Sequence, residues 1–152
     1  RQVISMSGDG GLSMLMGELL TLAAYNLPVT VVVFNNSTLG MVKLEMLVDG
    51  LPDFGVDVPQ ANYAGIAQAI GIQGIRVEKP KDLESAFTTA LAHQGPSVVE
   101  VITDPNALSI PPEIKKDQVF GFATAMSRIV LNRGVGEAVS MARSNLRNIP
   151  RG

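Results

Sequence analysis

VISMSGDGGLSM, residues 3–14, is the stretch on which the fold turns. The apolar run VISM (3–6) reads as a buried strand, SGDGG (7–11) as a tight turn, and LSMLMGELLTLAAY (12–25) as one helix with apolar residues almost all round. Glycine-rich turns between a strand and a helix bring backbone N–H groups and the positive end of the helix dipole up to a phosphate. Asp9 stands in the middle of this turn, where a bare carboxylate would repel that phosphate.

Outward from the turn, strands and helices alternate. Leu27 and Pro28 close the helix, and VTVVVF (29–34) is a β-branched run typical of a central parallel strand. A loop with a short helix is expected over 38–47, followed by an irregular stretch over 48–61 rich in Gly, Pro and Asp. NYAGIAQAIG (62–71) carries an N-cap in Asn62 and a stop in Gly71. GIRVE (74–78) is a strand, Pro80 and Asp82 open a helix over 81–93, and SVVEVIT (97–103) is a further strand after the Gly95–Pro96 break. Such alternation predicts an α/β fold, a doubly wound parallel sheet with helices on both faces. DPNALSIPPE (104–113) reads as an extended connector. Two helical stretches, 115–131 and 136–147, form a C-terminal helical tail broken at RGVG (133–136). The first carries Val119, Phe122, Met126, Ile129 and Val130 as one apolar stripe. The expected division is an α/β domain over 1–104 and a connector with helical tail over 105–152.

Composition narrows the function classes. A chain of 152 residues, 46% hydrophobic and 17% charged, can bury a sizeable core and is globular rather than disordered. The lack of cysteine excludes a disulfide scaffold and thiol chemistry, and leaves a reducing, cytoplasmic setting as the default. No apolar run is long enough to span a bilayer. The chain opens at Arg1 directly in a strand, with neither Met nor signal peptide, which predicts a piece cut from something longer. The net charge of −2 conceals an asymmetry: residues 1–112 hold five Lys/Arg against eleven Asp/Glu, and residues 113–152 seven against three. That basic tail suits an anionic surface, and no nucleic-acid partner is expected.

A divalent cation resolves the puzzle of Asp9. Open α/β sheets bind ligands at the carboxyl ends of their strands, and an aspartate there that holds Mg²⁺ turns repulsion into bridging, with carboxylate on one side and phosphate oxygens on the other. A second strand end supplies the next ligand: FNNSTLG (34–40) follows the run 29–34, so Asn35 and Asn36 emerge at the same sheet edge. The side-chain oxygen of Asn36 and a carbonyl from the turn after it would help complete an octahedron, while Asn35 reads as bonding the turn. The Gly10 and Gly11 amides are placed to meet the phosphate. Rival phosphate motifs fail: the third glycine of a dinucleotide fingerprint falls at Ser13, and no Gly-Lys-Ser/Thr is present.

The pattern GDG (8–10), 24 intervening residues and NN (35–36) resembles the signature of thiamine-diphosphate-dependent enzymes. GDGGLSMLMGELLTL, LPVTVVVFNNSTLGMVKLEM, GIRVEKP and IPPEIKKDQ are together similar to the carboxy-terminal diphosphate-binding domain of the pyruvate oxidase group, the quinone-linked pyruvate dehydrogenases. The resemblance implies thiamine diphosphate and Mg²⁺ as cofactors, with Asp9, Asn36 and the backbone oxygen of Thr38 as metal ligands. It places the diphosphate on the amides of Gly10 and Gly11 and on the backbone from Asn36 through Ser37, Thr38 and Leu39 to Gly40, with Met41 and Val42 bordering the thiazolium side. It implies oxidative decarboxylation of pyruvate to acetate and CO₂, with electrons passed to FAD and then to a membrane quinone. The glutamate that activates the cofactor and the FAD site would lie in domains outside this chain, so the chain alone holds no catalytic residue and turns over no pyruvate. The implied setting is a homo-oligomer, cytoplasmic and peripheral on the inner face of the cell membrane. An acetolactate-synthase-like enzyme and a non-catalytic module for assembly or membrane docking are the alternatives.

The remaining residues have plainer readings. Met6, Met14, Met16 and Met41 are expected mostly to fill the core, Glu18 and Glu45 to be solvated, and His93 to sit solvated at a helix end. Five arginines and one acid between 128 and 152 resemble an interfacial amphipathic segment. Residues 134–152 are expected to be held loosely enough to leave the body for an anionic bilayer.

Overall fold

The computed structural model describes residues 1–108 and 116–146. Residues 109–113 of the expected connector, most of the IPPEIKKDQ run and residues 147–152 of the tail, with Arg147 and Arg151, lie outside the described residues. Two units make up the chain: Arg1–Ser37 with Val58–Thr103, and Thr38–Asp57 with the described residues from Asp104 onward.

The first unit is an α/β sheet. Its strands are β1 (Val3–Gly8), β2 (Val29–Asn35), β3 (Gln73–Val77) and β4 (Ser97–Ile102), all parallel, in the spatial order β1-β2-β4-β3. The β-branched residues of β2 and β4 explain their central places, since a strand covered on both faces needs apolar side chains on both. Val31, Val33 and Val98 pack with Leu19, Tyr63, Ala67 and Ile72, whereas Val99 packs with Val77, Ala86 and Ala90. Successive side chains of a strand point to opposite faces, so Val98 and Val99 feed two separate cores. Helices α2 (Leu19–Ala24) and α4 (Tyr63–Ala69) cover one face and α5 (Leu83–Ala92) the other, as the alternation predicts.

The run 12–25 is not one helix. It divides into α1 (Asp9–Met14), a 3₁₀ turn (Met16–Glu18) and α2, because Leu15 leaves helical dihedrals (φ −129°, ψ 25°) and Gly17 weakens the helix beside it. The methionines also depart from expectation: Met6, Met14 and Met41 are exposed, Met6 to 69%. Periodicity placed them on apolar elements, but β1 has no described strand on its outer edge, where Val3, Ile4 and Met6 lie open. Glu18, Glu45 and His93 are exposed, as expected.

Helix α4 begins as its sequence predicts. The Asn62 side-chain oxygen accepts from the Gly65 N–H at 2.7 Å, and Gly71 takes the left-handed conformation (φ 83°) that ends the segment. Asn62→Ala should lower stability by about 1 kcal/mol, the usual worth of such a cap. Urea denaturation at unchanged slope checks this, and no loss of stability would remove Asn62 from that role.

The second unit is helical. It contains α3 (Gly40–Val48), α6 (Lys116–Arg133) and α7 (Val135–Asn145), around Leu44, Leu47, Leu108, Ala125, Ile129 and Met141. Of the expected stripe, Ile129 is buried and Phe122 and Met126 pack on that core, whereas Val119 is exposed. Buried Asp53 accepts from Arg133 at 2.8 Å and faces buried Lys43 at 3.6 Å. The helix break is Gly134 alone (φ 87°), with Val135 and Gly136 already inside α7.

Contrary to expectation, α7 is not loosely held. Met141 is buried, the Asn145 side chain accepts from the Leu108 N–H at 2.9 Å and donates to the Asn106 carbonyl at 2.7 Å, and Ser144 donates to Asp104 at 2.6 Å. Charge pattern suggested detachment, but these polar side chains act as staples that a charge count does not register.

Candidate functional site

Strand register builds the site. Gly8 at the end of β1 pairs with Phe34 near the end of β2, so the residues that follow each strand emerge side by side at one sheet edge. Asp9, the first residue of α1, is 2% exposed. One of its carboxylate oxygens accepts from the Gly10 N–H at 2.9 Å and the other from the Ser37 N–H at 2.7 Å. The GDG and NNS segments are thus joined through the Asp9 side chain. The Gly10 amide, which the sequence reading aims at a phosphate, bonds here to its neighbouring carboxylate. At Gly11 an added Cβ would stand 3.0 Å from the Ser7 hydroxyl, which would have to turn aside to admit it.

Asn35 shapes the second turn. Its side-chain oxygen accepts from the Ser37 N–H at 3.1 Å and from the Ser37 hydroxyl at 3.2 Å, holding Ser37 in a left-handed conformation (φ 55°). Asn35 therefore bonds the turn, as its expected role required, and Asn36 between them is half-buried. Thr38 to Val42 belong to the second unit. There Thr38 is buried, bridges to Asp57 and donates its hydroxyl to the Val56 carbonyl at 3.2 Å. The Leu39 N–H also donates to Val56, Gly40 opens α3, and Met41 and Val42 stand exposed on its first turn.

Three residues that sequence reasoning passed over hold this arrangement. Tyr63 donates its hydroxyl to the Asp9 main-chain oxygen at 3.2 Å. Burial above all, and then the charge of Asp9, pushes the Tyr63 pKa above its ordinary value, so the hydroxyl stays a donor at neutral pH. Glu100 is fully buried in β4 and accepts from Arg76 at 2.7 Å, from the Asn35 amide at 2.7 Å and from the Ala64 N–H at 3.0 Å. Arg76 is held more firmly protonated, first by its hydrogen bond to Glu78 and, against the cost of burial, by Glu100. A signal was present: Glu100 is the one charged residue in the apolar run SVVEVI, and a charge inside a central strand needs a reason.

The donor set fits a hard cation. Among the described residues no three His, Cys, Asp or Glu side chains converge on a metal position, and Asp9 forms no ion pair. A buried carboxylate without a counterion is costly, and a divalent ion beside Asp9 would supply the missing positive charge. Its remaining ligands would be neutral oxygens and phosphate, which suits Mg²⁺.

The family model described as thiamine pyrophosphate enzyme, C-terminal TPP binding domain, matches residues 1–101. The protein YdaP of Bacillus subtilis (strain 168) is 38% identical over 144 residues, which are 95% of this chain and 25% of that protein. Pyruvate oxidase of Lactiplantibacillus plantarum is 36% identical over 105 residues, 67% of this chain and 17% of that one. Further relatives include acetolactate synthases and a benzoylformate decarboxylase. The solved structure of the thiamine diphosphate-dependent 4-hydroxybenzoylformate decarboxylase of Rhodococcus jostii RHA1 superposes with a TM-score of 0.64 at 32% identity, covering 68% of this chain and 20% of that one. The chain therefore spans a quarter or less of these relatives' lengths.

Proposed function

The chain belongs to the thiamine pyrophosphate enzymes, as their C-terminal TPP-binding domain, and from that premise we propose that it holds Mg²⁺ and diphosphate in a pyruvate:quinone oxidoreductase. Pyruvate, water and quinone would give acetate, CO₂ and quinol. Bound thiamine diphosphate supplies the electron sink that lets a 2-keto acid lose CO₂. The observation that carries the reading is the buried Asp9 carboxylate joined to the Ser37 N–H at the paired ends of β1 and β2.

In this reading Asp9, the Asn36 side chain and the Thr38 carbonyl hold the cation. The backbone of Gly10, Gly11 and the Asn36–Gly40 segment would border the diphosphate, with the Gly10 and Leu39 N–H groups exchanging the partners they hold here, and Met41 and Val42 would border the thiazolium. FAD and the activating glutamate would come from parts of the protein outside this chain. Pyruvate as substrate is supported by the similarity to a pyruvate oxidase and by the runs LPVTVVVFNNSTLGMVKLEM and IPPEIKKDQ. Open apolar residues on and beside β1 (Val3, Ile4, Met6, Met14, Leu15) would be covered by further chain or by another subunit of a homo-oligomer. A quinone-bearing membrane would be met by Leu131, Val135, Val139 and Leu146, exposed on or just beyond α6 and α7, without detaching α7.

The test is pyruvate-dependent reduction of a quinone analogue by the purified protein that carries this domain, supplied with thiamine diphosphate, Mg²⁺ and FAD. Expected is one acetate per quinone reduced, with activity lost on chelating Mg²⁺. Acetolactate formed without quinone reduction would replace this reading by the acetolactate-synthase one. Cofactor binding without turnover of any 2-keto acid would make the chain a non-catalytic module.

A further inference from the structure

Asp9 is gripped by two arms that start from the same buried side chain. In the first arm, one Glu100 oxygen accepts from the Asn35 amide at 2.7 Å, which turns the Asn35 oxygen toward the Ser37 N–H and hydroxyl; the Ser37 N–H then reaches Asp9 at 2.7 Å. In the second, the other Glu100 oxygen accepts from the Ala64 N–H at 3.0 Å, fixing the first turn of α4, whose Tyr63 hydroxyl reaches the Asp9 main-chain oxygen at 3.2 Å. Glu100, Asn35, Tyr63 and Asp9 are all buried, so little of this chain of bonds is exchanged for water.

We propose that Glu100 is the positioning residue of the cation site, orienting Asp9 and the Asn35–Ser37 turn through these two arms. The proposal rests on the cation reading of Asp9 and Asn36. The chemistry requires a carboxylate at position 100, because its three partners, Arg76, Asn35 and Ala64, are all donors. An ionised carboxylate offers only acceptors, whereas glutamine carries an NH₂ that must stand either against the Ala64 N–H or at the oxygen position shared by Asn35 and Arg76. At the oxygen shared by Asn35 and Arg76, that NH₂ would meet two donors at once, and the Asn35 amide, which also donates to the Ala61 carbonyl at 3.1 Å, would be pushed from the place that aims its oxygen at Ser37. The turn bearing Asn36 would then lose its register with Asp9.

The experiment titrates Mg²⁺ calorimetrically at saturating thiamine diphosphate, in the protein that carries this domain, alongside urea denaturation of each variant without Mg²⁺. Glu100→Gln should weaken Mg²⁺ binding by about 10–100-fold, the range seen when an outer partner of a metal ligand is lost. Asn35→Asp alone should also weaken it, by opposing two carboxylates. The double variant should bind Mg²⁺ more tightly than either single one, because the amide introduced at position 100 can donate to a carboxylate at position 35 whose other oxygen takes the Ser37 N–H. Recovery is partial, since that carboxylate loses the Asn35 bond to the Ala61 carbonyl and the amide still faces Arg76. Lower stability in Glu100→Gln with Mg²⁺ affinity unchanged would make Glu100 merely structural and overturn the proposal. Should Glu100→Gln fail to fold, Tyr63→Phe decides: a loss of about threefold to tenfold, one hydrogen bond's worth, upholds it and an unchanged affinity overturns it. Failure of the unmodified protein to bind Mg²⁺ at all would instead overturn the cation reading beneath it.

Discussion

Replacing Asp9 by alanine is expected to abolish Mg²⁺-dependent uptake of thiamine diphosphate. Loss of an outer-sphere partner alone weakens metal binding by about 10–100-fold, and Asp9 is read as the sole charged ligand, so the expected loss is at least the upper end of that range. No cluster of three metal-binding side chains exists among the described residues to take its place. The fold should tolerate the change far better than the site does. Alanine removes the acceptor of the Gly10 and Ser37 N–H groups but also removes a buried charge, two opposed effects of about 1–3 kcal/mol each. Calorimetric titration with cofactor and Mg²⁺ beside a urea curve separates the two quantities. Cofactor affinity equal to that of the unmodified protein would sink the assignment of Asp9. Asn36→Asp, which keeps an oxygen ligand, should be the milder change.

A large loss of stability should come from Gly74→Ala. A Cβ at Gly74 would lie 2.0 Å from the Ala64 carbonyl oxygen and 2.8 Å from its carbon. These are backbone atoms of α4, so no side chain can swing aside, and α4 must be pushed off β3. Overpacking of this kind costs about 1–3 kcal/mol and sometimes more. The upper end is expected here, because the same peptide region carries the Ala64 N–H bond to Glu100. Gly136→Ala is the matched control: Gly136 lies inside α7 with nothing within 4 Å of the added Cβ, so alanine should stabilise by about 0.5–1 kcal/mol. Urea midpoints moving in opposite directions would confirm that space, and not glycine content, sets the sign. Equal midpoints for Gly74→Ala and the unmodified protein would mean that α4 and β3 are not so closely apposed.

Much of the fold was legible in the residues alone. Strands β2 and β4 follow from β-branched runs bounded by Pro28, Gly95 and Pro96, and α4 follows from its Asn62 cap and Gly71 stop. These signals are local, carried by side-chain shape and a few backbone preferences. The pairing of GDG with NN was legible for a related reason: two strands of a parallel sheet bring their carboxyl ends to one edge whatever the details of the loops between them.

What the sequence by itself determined was the element type, the parallel sheet and the two strand ends that meet at Asp9. Tertiary structure alone decided the order β1-β2-β4-β3, the break at Leu15, the joining of Thr38–Asp57 with the tail helices, and the anchorage of α7 by Asn145. It alone gave Glu100 its place at the root of the site. Glu100 and Asn35 are 65 residues apart, as the 2.7 Å bond between them spans. Periodicity reports a residue's environment only over a turn or two, whereas the worth of a buried charge depends on which distant donors the fold brings within hydrogen-bonding reach of it.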